Sequence, residues 1–345
     1  MKKLIALVLT LLLVAATPMA LASCAEGAYN IPIVCGETGM NDAMGVATYG
    51  VDYYSLGLKA GDMAADILLN GADPATMPVA TDPNPALSVN ETVAGEIGFT
   101  IPQSIKDRAT GGGAEEVTRV TTAIKEDGAD YKIGILQLVQ HVALDQANKG
   151  FQDQLSVRMS AANKTVTIFD ENASGDDANN ATILNTLVGK DVDLIYTIAT
   201  SSSQAAVTKT EGTDIPVIFN AVTDPVGAGL VDSMAAPGGN VTGVSDINPV
   251  EKQIELIGEL MGKDDIKIGF LYTSAETNSV TQINMAKAAC DAKGYTYEVR
   301  GIADITELNN AMIALAEAGV DAIYIPTDNV LANGAATVHA INIGQ

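Results

Sequence analysis

The chain has 345 residues, 47% of them hydrophobic, and a formal net charge of −23. This length exceeds what one hydrophobic core usually organises, so we expect two lobes. The net negative charge and the lack of a basic stripe argue against nucleic-acid binding. The negative charge is best explained as a surface charge that keeps the protein soluble. With two histidines and no metal-ligand spacing, the sequence predicts no metal site and no cofactor.

Residues 1–23 have the pattern of a bacterial export signal, with Lys2 and Lys3 before an apolar run over 4–16. The run is too short to span a bilayer. The tetrad Leu21-Ala22-Ser23-Cys24 resembles the lipobox of lipoproteins, which implies lipidation of Cys24. An incidental cysteine after a plain secretory signal is the alternative. We therefore expect an exported protein, tethered through 24–28 at the outer face of the bacterial cytoplasmic membrane or periplasmic.

Two further cysteines, Cys35 and Cys290, are too few for a disulfide framework in a chain of this size. Cys35 ends an apolar run and Cys290 lies in a helical pattern. Both are predicted to be small buried side chains, and a bond between them stays open.

Short apolar runs alternate with helical segments over most of the chain, and a break at Pro237-Gly238-Gly239-Asn240 divides the pattern. Such runs are typical of parallel strands buried on both faces, and the alternation predicts doubly wound α/β layers. The predicted strands are 29–35, 132–138, 165–169, 194–199, 216–219, 241–244, 267–272, 295–299 and 322–325. The predicted helices are 143–159, 177–188, 202–209, 249–261, 279–293, 305–318 and 329–343.

The two ends of this pattern fit each other. Strand 322–325 and its helix have no strand after them, and strand 29–35 has no helix before it. We expect these two strands to share a sheet, with Gln345 near Tyr29. Gly111-Gly112-Gly113 is predicted to be an exposed, flexible joint.

Several blocks resemble the substrate-binding lipoproteins of ABC transporters that include tryptophan and tyrosine binders. In family order these blocks are 132–145, 199–201, Ala221-Val222-Thr223-Asp224-Pro225-Val226, 241–246 and Tyr324-Ile325-Pro326-Thr327-Asp328-Asn329. Residues 29–109 resemble the C-terminal part of the family, through 31–40, 47–57 and 67–71. The order is therefore rotated, as in a circular permutant whose original termini are fused near 111–113.

The resemblance implies an α/β fold of the type I periplasmic-binding-protein kind, circularly permuted, with two doubly wound parallel-sheet lobes joined by hinge strands. Lobe one would be 130–240 plus 52–80, lobe two 244–345 plus 29–48 and 85–108, with 110–129 as linker. The implied function is that of a monomeric, non-enzymatic solute-binding protein of an ABC importer, with a permease as partner. Its ligand would be amino-acid-like, and an aromatic amino acid is the candidate that the family suggests. A ligand sensor for a signalling partner and an exported enzyme are the alternatives.

Ligands of doubly wound sheets lie at the carboxyl ends of the strands, against helix N-termini. On that ground the candidate ligand-binding residues are Gln140, His141, Thr200, Ser201, Ser202, Asp224, Asp246, Asn278, Ser279, Asp328, Asn329 and Glu37. Thr200–Ser202 and Asn278-Ser279 could hold a carboxylate or only cap helices. The family usually has Thr-Pro-Ala at the first of these places, so the role of Ser202 is open.

The ammonium group of an amino acid needs a carboxylate partner, and Asp224, Asp246 and Asp328 are the candidates. Asp224 could instead fix the turn before Pro225, and Asp246 could make a structural bond at the hinge. For His141 a structural role competes with ligand contact. Glu37 could line the cleft or face solvent, and Tyr53 and Tyr54 could form an aromatic wall or pack.

Overall fold

The structure is a computed structural model that describes residues 28–82, 84–110 and 115–345. The export signal, Cys24 and the glycine joint at 111–113 lie outside the described residues.

Eleven strands and twelve α-helices are found in the described residues. The strands are β1 (Ile33–Cys35), β2 (Ala47–Gly50), β3 (Ala86–Val89), β4 (Tyr131–Gln137), β5 (Val166–Asn172), β6 (Leu194–Ile198), β7 (Val217–Asn220), β8 (Val241–Gly243), β9 (Lys267–Thr273), β10 (Thr296–Ile302) and β11 (Ala322–Ile325). The helices are α1 (Thr38–Met44), α2 (Tyr53–Asn70), α3 (Glu91–Glu96), α4 (Gln103–Lys106), α5 (Val142–Ala161), α6 (Asp177–Gly189), α7 (Thr200–Thr210), α8 (Val250–Met261), α9 (Thr277–Lys293), α10 (Leu308–Glu317), α11 (Asn329–Asn333) and α12 (Ala335–Ile343). Within these described helices, none combines the length and hydropathy needed to cross a bilayer.

The strands form two sheets, and we call each sheet with its packed helices a lobe. Lobe one contains an all-parallel sheet in the order β5-β4-β6-β7-β8. Lobe two contains the order β10-β9-β11-β1-β2-β3, which is parallel except for the antiparallel edge strand β3. Each lobe buries its own apolar side chains, so each has a core of its own.

The predicted pairing of the first and last strands is confirmed. Strand β1 lies parallel to β11, with Ile33 opposite Ile323. The strand is shorter than predicted because the residues before it bond to α12 instead: Tyr29 N and Asn30 N both donate to Asn342 O. With β1 and β2 counted after β11, these five strands of lobe two have the same order as the five strands of lobe one, and β3 is an additional strand at the edge.

The chain passes between the sheets at β2–α2, at α2–β3 and at β8–α8, and side chains tie these crossings together. Tyr53 Oη donates to Asp246 at 2.6 Å, and Asn248 Oδ1 accepts from Val51 N at 3.1 Å. Both bonds join the segment after β2 to the segment after β8. These two bonds connect the β2–α2 crossing to the β8–α8 crossing, and we call this region the hinge.

Helix α2 follows a strand of lobe two but packs on α5 of lobe one. Two glycines allow the close approach: a Cβ on Gly57 would lie 2.3 Å from Ala147 O, and a Cβ on Gly150 would lie 2.2 Å from Tyr54 O. Behind α5, Phe151 stacks on Tyr196 with ring centroids 3.8 Å apart. Helix α2 therefore packs as part of lobe one, although the strands before and after it, β2 and β3, belong to the sheet of lobe two.

Cys35 and Cys290 are both buried, and they are not bonded to each other. Burial raises the pKa of both thiols. They are inert core side chains, as predicted from their apolar surroundings.

Candidate functional site

A cleft of about 450 Å³ lies where the carboxyl ends of the two sheets face each other. Lobe one lines it with the residues after β4 and β5 and with the start of α7, and lobe two with the residues after β9 and the start of α11. The volume falls within the range of small-molecule sites. The apolar lining residues are Leu138, Val139, Ala275, Ala303, Ile305 and Val330.

On the lobe-one side, the cleft meets the N-terminus of α7. This helix begins at Thr200, two residues before the predicted start, and Ala199 at its N-cap has no side-chain oxygen to cap it. Ala199 has φ 85°, a left-handed conformation that costs an alanine energy. The first N–H groups of an α-helix have no acceptor within the helix, so an anion beside Thr200 and Ser201, which line the cleft, would satisfy them.

Two hydroxyl groups at this helix start have no partner. Within the described residues, Thr200 Oγ1 and Ser201 Oγ are buried and form no hydrogen bond. A buried polar group without a partner is costly, so these two hydroxyls are available to a ligand or to water. The capping alternative for these two side chains does not hold, because neither caps α7.

On the lobe-two side, the cleft contains Glu276, which the sequence analysis missed. Its carboxylate accepts hydrogen bonds from Asn278 Nδ2 at 3.0 Å, Asn329 N at 3.0 Å, Asn329 Nδ2 at 2.8 Å and Val330 N at 3.1 Å. Burial, and secondarily the charge of Asp328, raises the pKa of Glu276 to about 7. No ion pair among the described residues includes Glu276, so its charge has no cationic partner.

Two predicted residues of lobe two, Asn278 and Asn329, line the cleft beside Glu276. Asn278 Nδ2 also donates to Thr327 O at 2.9 Å, which fixes its amide. From lobe one, His141 Nε2 lies 3.4 Å from Asn329 Oδ1. Burial lowers the pKa of His141, so its ring is neutral at pH 7.

The other predicted side chains lie away from this cleft. Ser202 Oγ donates to Asn180, Asp224 accepts from Gly227 N in the turn after it, and Ser279 Oγ donates to Asp328. Asp328 also accepts from Thr273 N, Thr273 Oγ1 and Leu331 N, so it caps α11. Gln140 is exposed to solvent.

Asp246 and Glu37 are buried at the lobe junction, not in the cleft. Asp246 accepts hydrogen bonds from Tyr53 Oη and Thr223 Oγ1. This is the structural role at the hinge that was the alternative to ligand contact. Glu37 caps α1 by accepting from Gly39 N and Met40 N, so it does not face solvent. Burial raises the pKa of Glu37 to about 7 and the pKa of Asp246 above its usual value.

Tyr53 and Tyr54 pack at the hinge and do not form a wall of the cleft. The hydroxyl of Tyr54 bonds to Asp153 of α5. Among the described residues, no group of His, Cys, Asp or Glu side chains has the arrangement to hold a metal ion.

Comparison with known proteins identifies the family of the chain. Residues 5–111 and 132–344 match the family model described as "ABC transporter substrate binding protein". The chain belongs to this family. The family is extracytoplasmic, and the predicted fold class, two doubly wound parallel-sheet lobes of the type I periplasmic-binding-protein kind, is confirmed.

One curated relative is the "Tyrosine-binding protein" of Clostridioides difficile (strain R20291), 40% identical over 199 residues. The match covers 58% of this chain and 56% of the relative, so the chain spans little more than half the length of the relative that it matches.

Two solved structures are also similar. The ABC domain in complex with L-Trp from Streptococcus pneumonia is 40% identical, with a TM-score of 0.56 over 61% of this chain and 70% of that one. A conserved domain protein from Vibrio cholerae is 33% identical, with a TM-score of 0.56 over 62% of this chain and 71% of that one. Of these, the curated relative is named for binding tyrosine and the Streptococcus structure contains L-Trp.

Proposed function

We propose that this chain is the extracytoplasmic substrate-binding component of an ABC importer and that its cleft binds a zwitterionic amino acid with an apolar or aromatic side chain. The proposal rests on groups without partners among the described residues on opposite walls of one cleft: hydroxyls without a hydrogen-bond acceptor on one wall, and a carboxylate without a cation on the other. Thr200 and Ser201 lack hydrogen-bond partners on one wall, and Glu276 lacks a cation on the other. An α-amino acid supplies an anion and a cation a short distance apart.

The carboxylate of the ligand is assigned to the start of α7. The Thr200 and Ser201 hydroxyls can donate to it, and the first N–H groups of the helix add the positive end of the helix dipole. The ammonium group is assigned to Glu276, whose ionised carboxylate it would neutralise. The Asn278 and Asn329 amides hold that carboxylate in place.

The charge of the cleft limits the substrate class. Its described lining contains the carboxylates Asp177 and Glu276 but no lysine, arginine or histidine. A ligand with net negative charge would find no compensating cation there. The apolar residues Leu138, Val139, Ile305 and Val330 are available to the ligand side chain. The relatives named for tyrosine and solved with L-Trp support an aromatic side chain.

A thermal-shift screen against the twenty amino acids tests the proposal. A ligand at about one hundred times its dissociation constant stabilises the native state by roughly 2.7 kcal/mol. We expect L-tryptophan or L-tyrosine to raise the melting temperature and L-glutamate and L-aspartate to have no effect. Tyramine, which lacks the carboxylate, and 4-hydroxyphenylpropionate, which lacks the ammonium, should each bind at least about a hundredfold more weakly than L-tyrosine. A screen without any shift would refute an amino-acid ligand.

The anchor and the partner are part of the same proposal. Lipidation of Cys24 would hold the monomeric body at the membrane, where it delivers ligand to an ABC permease. In membrane fractions, mass spectrometry of the N-terminal peptide should show a diacylglyceryl mass on Cys24. A Cys24→Ala chain should appear in the soluble fraction.

The rotated order of the chain remains our proposal as well. It is supported by the strand order of the two lobes, which is the same over five strands when β1 and β2 are counted after β11 and the edge strand β3 is left aside. The division into lobe one at 130–240 plus 52–80 and lobe two at 244–345 plus 29–48 and 85–108 follows from the same proposal.

A further inference from the structure

His141 and Asn329 come from opposite lobes and meet at the inner end of the cleft. His141 directly precedes α5 of lobe one, and Asn329 begins α11 of lobe two. The distance from His141 Nε2 to Asn329 Oδ1 is 3.4 Å. Both residues border a space of about 10 Å³ at the lobe junction, which is room for about one water molecule. They are therefore in contact across the surface where the lobes close.

The orientation of the Asn329 amide is set from the cleft. Its Nδ2 donates to Glu276 at 2.8 Å, so its Oδ1 points away from that carboxylate. Oδ1 can only accept, and His141 must therefore donate from Nε2. The neutral ring can do so as the Nε2–H tautomer. The groups that face His141 are Asp145 on its own helix, with Glu37, Asp246 and Asp328 around the junction space.

We propose that Asn329 and His141 form a latch that closes the lobes in response to a cationic group beside Glu276. This inference rests on the proposed function and specifies how the same site favours its ligand. An ionised Glu276 carboxylate can only accept hydrogen bonds, so Asn329 must donate to it from Nδ2. The Oδ1 atom of Asn329 then faces His141 of lobe one. A ligand ammonium keeps Glu276 ionised and so keeps the latch in its closed orientation.

The same chemistry opens the latch when Glu276 is neutral. A protonated Glu276 can donate its O–H to Asn329 Oδ1, which allows the amide to turn. Nδ2 then faces His141 Nε2–H, two donors oppose each other, and the bond between the lobes forms again only after the imidazole proton moves from Nε2 to Nδ1. Asn329 is thus a specificity-determining residue, and His141 is a positioning residue that need not touch the ligand.

The test compares ligand dissociation in two variants of His141, with L-tryptophan and L-tyrosine as probes in stopped-flow measurements. His141→Phe removes the donor and keeps a ring of similar size. We expect its dissociation rate to rise about three- to tenfold, as for the loss of one hydrogen bond, and its association rate to stay within twofold. His141→Gln retains an N–H donor at a similar reach and should restore most of the slow dissociation. If the His141 ring only filled space, glutamine would not be expected to restore slow dissociation of the ligand.

The control is His339→Phe, which changes the only other histidine in the sequence, on α12 and away from the cleft. It should leave both rates unchanged. Each His141 variant should melt in a single cooperative transition without ligand, which shows that it folds. Unchanged dissociation in His141→Phe, or equal rates in His141→Phe and His141→Gln, would overturn the latch while leaving the proposed function intact. Failure of the wild type to bind any amino acid would overturn the proposed function, and the latch with it.

Discussion

Thr200 and Ser202 are neighbours on the first turn of α7 but differ in what their hydroxyls contact. Thr200 Oγ1 is buried without a partner, whereas Ser202 Oγ donates to Asn180 Oδ1 at 3.0 Å. The first hydroxyl costs the ligand-free protein free energy, and the second contributes to its stability. On the proposed assignment, Thr200 would serve ligand binding, whereas Ser202 serves the fold.

We therefore expect opposite phenotypes from two substitutions on this turn. Thr200→Val should leave the free energy of unfolding of the ligand-free protein unchanged or higher, and should weaken amino-acid binding about tenfold. Ser202→Ala should lower the free energy of unfolding by about 1 kcal/mol and leave the affinity nearly unchanged. Urea denaturation and isothermal titration calorimetry measure the two quantities. Equal affinities for both variants would contradict the assignment of Thr200.

Glu276 should make ligand binding depend on pH. Burial raises its pKa to about 7 in the ligand-free protein, and only the ionised form can hold an ammonium group. The affinity should therefore rise with pH, by up to about tenfold per unit below 7, and level off above it. Glu276→Gln should bind weakly and show no such rise. Calorimetry between pH 5 and pH 8.5 checks this, and a parallel rise in the variant would exclude Glu276 as the titrating group.

The same raised pKa predicts the sign of a stability change. A carboxylate that binds its proton more tightly in the folded state favours folding at low pH, and this contribution is lost as pH rises from about 4.5 to about 7. Glu276→Gln should therefore lose less stability than the wild type between pH 5 and pH 8. Glu37, with a pKa also raised to about 7, and Asp246, whose pKa is raised by burial, should contribute to the pH dependence that remains.

Sequence reasoning named some of the residues that line the candidate cleft because position relative to strand ends is visible in the sequence. Thr200, Ser201, Asn278 and Asn329 each follow a recognisable strand and lie at the cleft. Asp328 has the same signal, yet its oxygens are used by Thr273, Ser279 and Leu331 of its own lobe. Which carboxylates are already satisfied depends on tertiary contacts. Glu276 was missed because a glutamate before a helix is ordinarily a solvated surface residue.

At the scale of elements, the contact between α2 and α5 depends on glycine. A Cβ on Gly150 would lie 2.2 Å from the backbone oxygen of Tyr54, which cannot move without shifting α2. Gly57 faces the same seam from the other helix. Helix α2 can therefore pack this closely on α5 only because Gly57 and Gly150 have no side chains.

Gly150→Ala should destabilise the protein by about 1–3 kcal/mol because the added methyl group overpacks this seam. Gly189→Ala provides the matched control at the end of α6, where a Cβ would have no atom within 4 Å. That change should be neutral or stabilise by up to about 1 kcal/mol, through the higher helix propensity of alanine. Thermal denaturation of both variants measures the difference. Similar melting temperatures would show that α2 and α5 separate without cost.

The elements themselves could largely be predicted, since buried parallel strands and amphipathic helices leave periodic apolar patterns. The predicted strand 322–325 matches β11 in full. The predicted helices 305–318 and 329–343 each divide in two, into Ile305–Glu307 with α10 and into α11 with α12. The second division falls at Gly334, where a Cβ would lie 2.5 Å from Ile305 Cδ1. Such breaks follow from contacts between elements, which the pattern of one segment does not contain.

At the scale of the molecule, the two lobes repeat one strand order although their strands come from different parts of the chain. Residues 28 and 344 are neighbours, since a Cβ on Gly344 would lie 2.8 Å from Ala28 N. We expect a chain that starts at residue 115, runs through 345, continues by a short linker into 28 and ends at 110 to fold and bind the same amino acid. Circular dichroism and calorimetry test this. A misfolded product would contradict the proposed permutation.

The position of β1 between β11 and β2 has a consequence for biosynthesis. All strands of the lobe-one sheet, Tyr131 to Gly243, leave the ribosome before any of β9, β10 or β11. Strand β1, made first of those described, can pair early with β2 on one side, but its other neighbour, β11, is made almost 300 residues later, since Ile33 lies opposite Ile323. An early apolar strand with a late partner is an aggregation hazard for the nascent chain. Export in an unfolded form, with chaperones covering that segment, would remove the hazard.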